Sequence, residues 1–233
     1  MARSYGYDIV HYHPATDDEL RKKKLLESYQ INTVLDVGAN VGRYGVELRS
    51  MGFEGDIISF EPLSEAFEEL KRKSATDEHW KAVNFALGDK NETAEINIAN
   101  NSLSSSIQEM LPSHLKSAPE SEYIGKEEIE VKKLDTIFEE FCSKHDNILL
   151  KIDTQGFEKN VIEGAEDSLE AIDTVQLEMS LTPLYKNETL FTDMIKILNS
   201  RGYSLVHLEH VFSDIKTGRL LQVDGMFHRF PKK

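Results

Sequence analysis

Two apolar runs in this chain end on residues that could hold a nucleotide. Val34-Leu35-Asp36-Val37-Gly38-Ala39-Asn40-Val41-Gly42 closes on an acid and two spaced glycines, and Ile57-Ile58-Ser59-Phe60-Glu61-Pro62 closes on a lone carboxylate. A tight turn from strand to helix calls for glycine, because the backbone must pass close to a ligand. Gly38 and Gly42 can supply it. The helix expected next would point free N–H groups at an anionic group. The spacing is not G-x-G-x-x-G, and Asp36 stands two residues before Gly38. An acid there is poorly placed beside a pyrophosphate and suits a cofactor with a positive centre. Glu61 can accept both hydroxyls of a ribose, and Asp89, after a third strand, can accept from an adenine amino group.

Positioning these residues takes alternating strands and helices. Residues 33–37 and 56–60 read as short buried strands and 82–86 as a third, closed by Leu87-Gly88-Asp89. Helices are expected at 41–51, ended by Gly52, and at 64–74. Upstream, 16–28 reads as a helix capped by Thr16, with Glu19 three residues on as in a capping box. Residues 93–99 and 128–134 alternate apolar and polar, which marks half-exposed strands of an inserted hairpin. Between them, 100–125 is polar and serine-rich and reads as a long mobile loop, of the kind that forms lids. Asp135 is expected to cap a helix to about 144. Residues 148–152 form a buried strand ending at Asp153, followed by a helix over 155–163. A strand at 174–179 ends near Glu178, and an amphipathic helix spans 190–201. Strands at 203–208 and 222–230 flank the turn at Lys216-Thr217-Gly218. This alternation predicts an α/β fold with a doubly wound, mostly parallel sheet. The last two strands have no helix between them, so one is expected to run antiparallel. An N-terminal helical extension, 1–30, would precede one large domain, 31–233.

The bulk numbers narrow the class. A hydrophobic share of 39% fits a globular protein with a core. The 27 basic and 41 acidic residues leave a net charge of −14, which repels phosphate backbones and disfavours a nucleic-acid partner. Cys142 is the single cysteine, so no internal disulfide can form and a reducing compartment fits. No run approaches transmembrane length, and a cytoplasmic location is the expectation. The sequence does not set the oligomeric state.

The ordered motifs resemble those of FkbM-type methyltransferases: Asp36-Val37-Gly38-Ala39-Asn40-Val41-Gly42, Phe60-Glu61-Pro62, Ala86-Leu87-Gly88-Asp89, Leu134-Asp135, Lys151-Ile152-Asp153-Thr154-Gln155-Gly156-Phe157-Glu158 and Gln176-Leu177-Glu178. The resemblance spans roughly 32–230. It implies a Rossmann-like class I methyltransferase fold, with a seven-stranded sheet ending in a reversed hairpin, and S-adenosyl-L-methionine as cofactor. It also implies that Asp36, Gly38, Asn40 and Gly42 hold the methionine part, Glu61 the ribose, and Leu87 to Asp89 the adenine. Family members often carry Val-Glu where this chain has Thr154-Gln155.

Methyl transfer to a hydroxyl gains from a base at hydrogen-bond distance. Asp153 could touch the cofactor's amine or the acceptor hydroxyl, and Glu178 could be the base. Glu158, a helical turn deeper, reads as an exposed helix carboxylate. His207 is a further candidate base, with a packed histidine as the plainer reading. His11 and His13 make a weak metal pair, and no metal is expected. Ser102 and Ser104 to Ser106 could line an entrance or simply form a flexible loop. The resulting expectation is an O-methyltransferase acting on a small molecule, sugar or glycan. The rivals are a nicotinamide-dependent oxidoreductase and a non-catalytic binding module of the same fold.

Overall fold

The computed structural model describes residues 12–143 and 145–231. The first half comprises α1 (Asp18–Ser28), β1 (Thr33–Val37), α2 (Arg43–Ser50), β2 (Asp56–Phe60), α3 (Ser64–Ser74) and β3 (Trp80–Val83). A middle part follows with β4 (Ala86–Leu87), β5 (Glu92–Ala99), α4 (Pro112–Ser117), β6 (Tyr123–Lys132) and α5 (Leu134–Phe141). The second half holds β7 (Ile148–Ile152), α6 (Glu158–Glu163), β8 (Thr174–Ser180), α7 (Phe191–Ser200), β9 (Ser204–Ser213) and β10 (Leu220–His228). The main sheet has the order β3-β2-β1-β7-β8-β10-β9. Its first five strands are parallel, and β10 runs antiparallel to both β8 and β9. The chain winds outward from β1 to β3, then returns to β7 on the other side. That reversal opens a crevice at the carboxyl ends of β1 and β7.

The apolar runs of β1, β7 and β8 are buried at every position, as strands covered on both faces must be. Alternation divides their side chains. Leu35, Val37, Leu150 and Ile152 pack with Val161, Ile162, Met194 and Leu198 of α6 and α7. Val34 and Leu149 pack on the other face with Leu26 of α1, Tyr44 and Leu48 of α2 and Leu70 of α3. Each such aliphatic side chain contributes roughly 1.5–3 kcal/mol on burial. Asp36 and Lys151, two residues beyond Val34 and Leu149, therefore point into the second layer. Among the described residues no helix is long and apolar enough to cross a membrane.

Several local expectations change. The strand expected over 82–86 is divided between two sheets. Asn84 Nδ2 donates to the carbonyls of Glu61 (2.9 Å) and Pro62 (3.0 Å), and the chain then turns so that Ala86 and Leu87 pair with Val131 and Lys132 of β6. With the antiparallel pair β5–β6, this makes a three-stranded second sheet. Asp17, not Thr16, caps α1, accepting from Leu20 N at 2.9 Å. Asp135 does not cap α5. Its Oδ1 instead accepts from Ser168 N (2.9 Å) and Oγ (2.8 Å). The helix expected from 155 begins at Glu158, because Gln155 (φ +55°) and Gly156 (φ +95°) form a left-handed turn. Residue 144 and His11 lie outside the described residues.

The segment expected to be a mobile loop is built in. Asn97 and Ser106 form an antiparallel bridge, and Met110 and Tyr185 form another. Leu111 N donates to Leu184 O and Lys186 N to Glu109 O, both at 2.8 Å. The segment thus crosses from the second sheet to the stretch after β8, over the crevice.

Candidate active site

The crevice holds a cleft of about 630 Å³, its open mouth included. Its floor is Val37 and Gly38 at the end of β1 and Asp153 to Gln155 after β7. Glu61, Leu63, Ala86, Leu87 and Phe157 wall it, and Ser102, Leu103, Ser105 and Ile107 of the crossing segment cover it. Gly38 has φ +77°, and a Cβ there would lie 1.8 Å from the Asp153 carbonyl oxygen. Only glycine lets the turn after β1 pass this close to the end of β7.

That turn and Glu61 hold each other. Asn40 N donates to Glu61 Oε2 at 2.7 Å and Leu63 N to Oε1 at 2.8 Å. The carboxylate is only 4% exposed. Burial pushes its pKa up to about 7, against the opposing pull of those two amides. Asn40 Nδ2 donates to Ser102 Oγ at 3.3 Å, while its Oδ1 is buried without a partner.

Beneath the cleft, strand register assembles a polar row. Asp36 stands opposite Ser59 on β2 and Lys151 on β7, and Lys151 stands opposite Gln176 on β8. Lys151 Nζ lies 3.2 Å from Asp36 Oδ1 and 3.5 Å from Asp153 Oδ2. Ser59 Oγ donates to Asp36 Oδ2 at 3.0 Å and accepts from Trp80 Nε1 at 3.0 Å. Burial alone would lower the Lys151 pKa, but Asp36 and Asp153 outweigh it and hold the ammonium above the usual lysine range. Farther along, Tyr44 OH donates to Gln176 Oε1 (2.9 Å), and Gln176 Nε2 donates to Asp224 Oδ2 (3.2 Å).

A second cluster sits at the ends of β7, β8 and β10. Gln155 Nε2 donates to Asp153 Oδ1 at 2.7 Å and to Glu178 Oε2 at 3.0 Å; Gln222 Nε2 donates to the same Glu178 oxygen at 2.6 Å. Burial raises the Glu178 pKa well above the ordinary value, and the charges of Asp153, Asp224 and Glu158 add to it. Burial, then the charge of Asp153, pushes Asp224 up to about 6.

The structure sorts the residues singled out by sequence. Gly38, Asn40, Glu61, Leu87 and Asp153 line the cleft. Asp36 is fully buried below it, so its carboxylate meets Lys151 and Ser59 rather than a ligand. A Cβ on Gly42 would strike Leu70 and Trp80, so this glycine packs against α3 and β3. Asp89 lies outside the cleft lining, and its Oδ1 accepts from Asn160 Nδ2 at 2.9 Å. Glu178 stands one amide away from Asp153. His207 lies on the face that α1 covers, with Nε2 3.9 Å from Asp18 and 4.0 Å from Glu209. It is a packed histidine outside the cleft. Glu158 is not an exposed helix carboxylate: it is 6% exposed, and its Oε1 accepts from Thr154 N (3.0 Å) and Gly156 N (3.1 Å). It ties the left-handed turn, and burial pushes its pKa up to about 7. Ser102 and Ser105 line the cleft, whereas Ser104 and Ser106 are buried in the crossing segment. His13 Nδ1 accepts from Ala15 N at 3.1 Å.

The comparisons with known proteins agree with this geometry. Residues 36–205 match the methyltransferase FkbM domain. The chain belongs to the FkbM methyltransferase family. No curated protein matches it by sequence. Among solved structures, an rRNA methylase from Streptococcus thermophilus is similar at TM-score 0.51 and 8% identity, over 96% of this chain and 100% of that one. The METTL16 MTase domain is similar at TM-score 0.50 and 13% identity, over 91% of this chain and 66% of that one. At such identities these likenesses show the Rossmann-like methyltransferase fold and nothing of the acceptor.

Family and fold imply S-adenosylmethionine as the methyl donor. The residues present suit it. A buried acceptor, Asn40 Oδ1, lacks a partner at the cleft wall, an anchored carboxylate closes one end, and Leu63, Ala86, Leu87 and Phe157 form an apolar slot between them.

Proposed function

We propose that this protein transfers a methyl group from S-adenosylmethionine to a hydroxyl of a small molecule, sugar or glycan. The carrying observation is Glu178, a buried carboxylate one hydrogen-bonded amide from the cleft floor. When bound, the cofactor supplies a methyl carbon made electrophilic by the adjacent sulfonium. In this reading Glu61 accepts from the ribose hydroxyls, Leu87 and its apolar neighbours flank the adenine, and Asp153 faces the methionine amine or the acceptor. Glu178 takes the proton that the acceptor hydroxyl must lose. No lysine or arginine lines the cleft among the described residues, and the chain's net charge of −14 opposes a phosphate backbone. Both observations favour an uncharged hydroxyl compound.

Two measurements test this. The protein is incubated with methyl-labelled S-adenosylmethionine and a panel of sugars, glycans and polyhydroxylated metabolites, beside total RNA. The label should enter a small molecule as an alkali-stable methyl ether. Label in RNA, or calorimetric binding of a nicotinamide dinucleotide in place of S-adenosylhomocysteine, would overturn the reading.

Glu61→Ala should weaken S-adenosylhomocysteine binding by about 1–3 kcal/mol, as expected when a buried hydroxyl pair loses its acceptor. Its pKa of about 7 in the free protein gives the sign of the pH dependence. Ribose hydroxyls donate to the charged form, so binding favours the carboxylate. Affinity should fall as pH drops below about 7, and Glu61→Gln should flatten that slope. Calorimetry across pH 5.5–8.5 that finds Glu61→Ala at parental affinity would take Glu61 out of the pocket.

A further inference from the structure

Gln155 hydrogen-bonds two carboxylates, Asp153 at the floor of the cleft and Glu178 behind it. Its Nε2 lies 2.7 Å from Asp153 Oδ1 and 3.0 Å from Glu178 Oε2. Its Oε1 accepts from the Tyr185 hydroxyl at 2.7 Å, and its backbone carbonyl accepts from Ser106 Oγ at 2.6 Å. The orientation of the amide follows from these partners. Tyr185 is a buried phenol whose pKa burial drives far up, so it stays a donor, and Gln155 Oε1 at 2.7 Å is a nearer acceptor than Ser104 O at 3.4 Å. Flipping the amide would face two carboxylates with a third oxygen and the phenol with N–H groups.

The mounting of Gln155 is specific. It lies in a left-handed turn with φ +55°, followed by Gly156 at φ +95°. A Cβ on Gly156 would come within 2.8 Å of Tyr185 Cβ, so the glycine lets the turn lie flat against that ring. Glu158 Oε1 holds the turn from below through Thr154 N and Gly156 N. Tyr185 is pinned in turn by its bridge to Met110 of the crossing segment.

We propose that Gln155 is a positioning residue for proton transfer from the acceptor: its amide holds the Glu178 carboxylate beside Asp153 and gives each a donor, so that Glu178 meets the acceptor hydroxyl in its charged, proton-accepting form. This rests on the role given to Glu178 above. The groups facing Glu178 are Lys151 from β7 and Asp153 just after it, Asp224 and Gln222 from β10, Glu158 from α6, and Tyr185 from the stretch after β8. Among these, Lys151 is the one cation, and it is already shared between Asp36 and Asp153. Burial and three neighbouring carboxylates disfavour the ionised form of Glu178. Donation from Gln155 and Gln222 opposes them, because a hydrogen bond to the charged form favours it. Gln222 belongs to the sheet, whereas Gln155 belongs to the cleft floor. Gln155 therefore links the state of Glu178 to the crossing segment that covers the cleft.

The test is the titration of Glu178 in the full chain without cofactor or acceptor, followed by NMR of glutamate labelled with carbon-13 at the carboxyl. The Glu178 signal is assigned by its loss in Glu178→Gln. Gln155→Met keeps the side-chain length and removes both donors, and should move the Glu178 midpoint up by a pH unit or more. Gln155→Glu keeps the bond from Tyr185 and should also move it up. Tyr185→Phe, which frees the amide to rotate, should move it in the same direction by less. The Glu61 signal should titrate as in the parent, which reports an intact fold. A Glu178 midpoint that stays put or falls in Gln155→Met, with Glu61 unmoved, would overturn the proposal. If Gln155→Met fails to fold, an unmoved midpoint in both Gln155→Glu and Tyr185→Phe would do the same. Failure to bind S-adenosylhomocysteine would remove the proposed function and leave this titration readable.

Discussion

Replacing Lys151 by methionine should lower the unfolding free energy by about 3–5 kcal/mol, the usual effect of leaving a buried charge without its partner. Asp36 is fully buried, and apart from the ammonium 3.2 Å away its carboxylate has the Ser59 hydroxyl. Methionine fills the space of the lysine stem but returns no charge, so Asp36 must stay ionised in an apolar layer or take up a proton. Asp153 loses the same partner at the cleft floor. For a chain of this length the change corresponds to a fall in melting temperature of roughly 6–20 °C. Adding Asp36→Asn to Lys151→Met should recover at least half of the loss, since the charge left behind is then gone. Chemical denaturation of the parent, the single and the double variant checks both statements. A single variant within 1 kcal/mol of the parent would mean that solvent reaches Asp36, and that the row beneath the cleft is not a dry support.

That row shows where reading the sequence stops. Nothing local says that the lysine in Ile148-Leu149-Leu150-Lys151-Ile152 meets an acid more than a hundred residues earlier. Parallel register brings Asp36 and Lys151 together, and register becomes visible only when β1 and β7 are seen to be neighbours. The turn after β1, Glu61 at the end of β2 and the reversed final hairpin were legible, because each has a local cause: glycine in a tight turn, an acid after an apolar run, two strands without a helix between them. Gln155 stands in the sequence as a departure from the family pattern, but its partner Tyr185 lies 30 residues on and carries no motif. Asp89 has the offset expected of an adenine acceptor, yet it lies outside the cleft lining, where its Oδ1 accepts from Asn160 of α6.

The order of the crossing segment is hidden from the sequence for a related reason. Its order comes from polar contacts rather than apolar periodicity. Asn101 Nδ2 donates to Ser104 Oγ (3.0 Å) and Ser121 Oγ (3.1 Å), and these two hydroxyls lie 3.0 Å apart. Serines that satisfy one another read, in sequence, like serines that satisfy water.

Glu178→Gln should slow methyl transfer by about 100- to 10,000-fold, the range expected when a positioned proton acceptor is lost. The substitution preserves shape and leaves the Gln222 and Gln155 amides an oxygen to donate to, so the fold has little reason to change. Cofactor affinity should stay within a few-fold of the parent, because Glu178 does not line the pocket that would hold the cofactor. In the parent, the rate should rise with pH through the raised pKa of Glu178 in the free enzyme, since its charged form accepts the proton. That acid limb should vanish in Glu178→Gln. Asp224, pushed up to about 6, would remain as an acceptor deeper in the sheet, and Asp153 remains at the cleft floor. Radiolabel transfer to the acceptor found by the panel, measured from pH 5 to 9 alongside calorimetry with S-adenosylhomocysteine, separates the cases. A loss below tenfold would mean that the hydroxyl loses its proton to water or to Asp153. Equal losses in rate and in cofactor affinity would place Glu178 with the methyl donor, and the acceptor would then have to enter over the β1 and β2 side of the cleft.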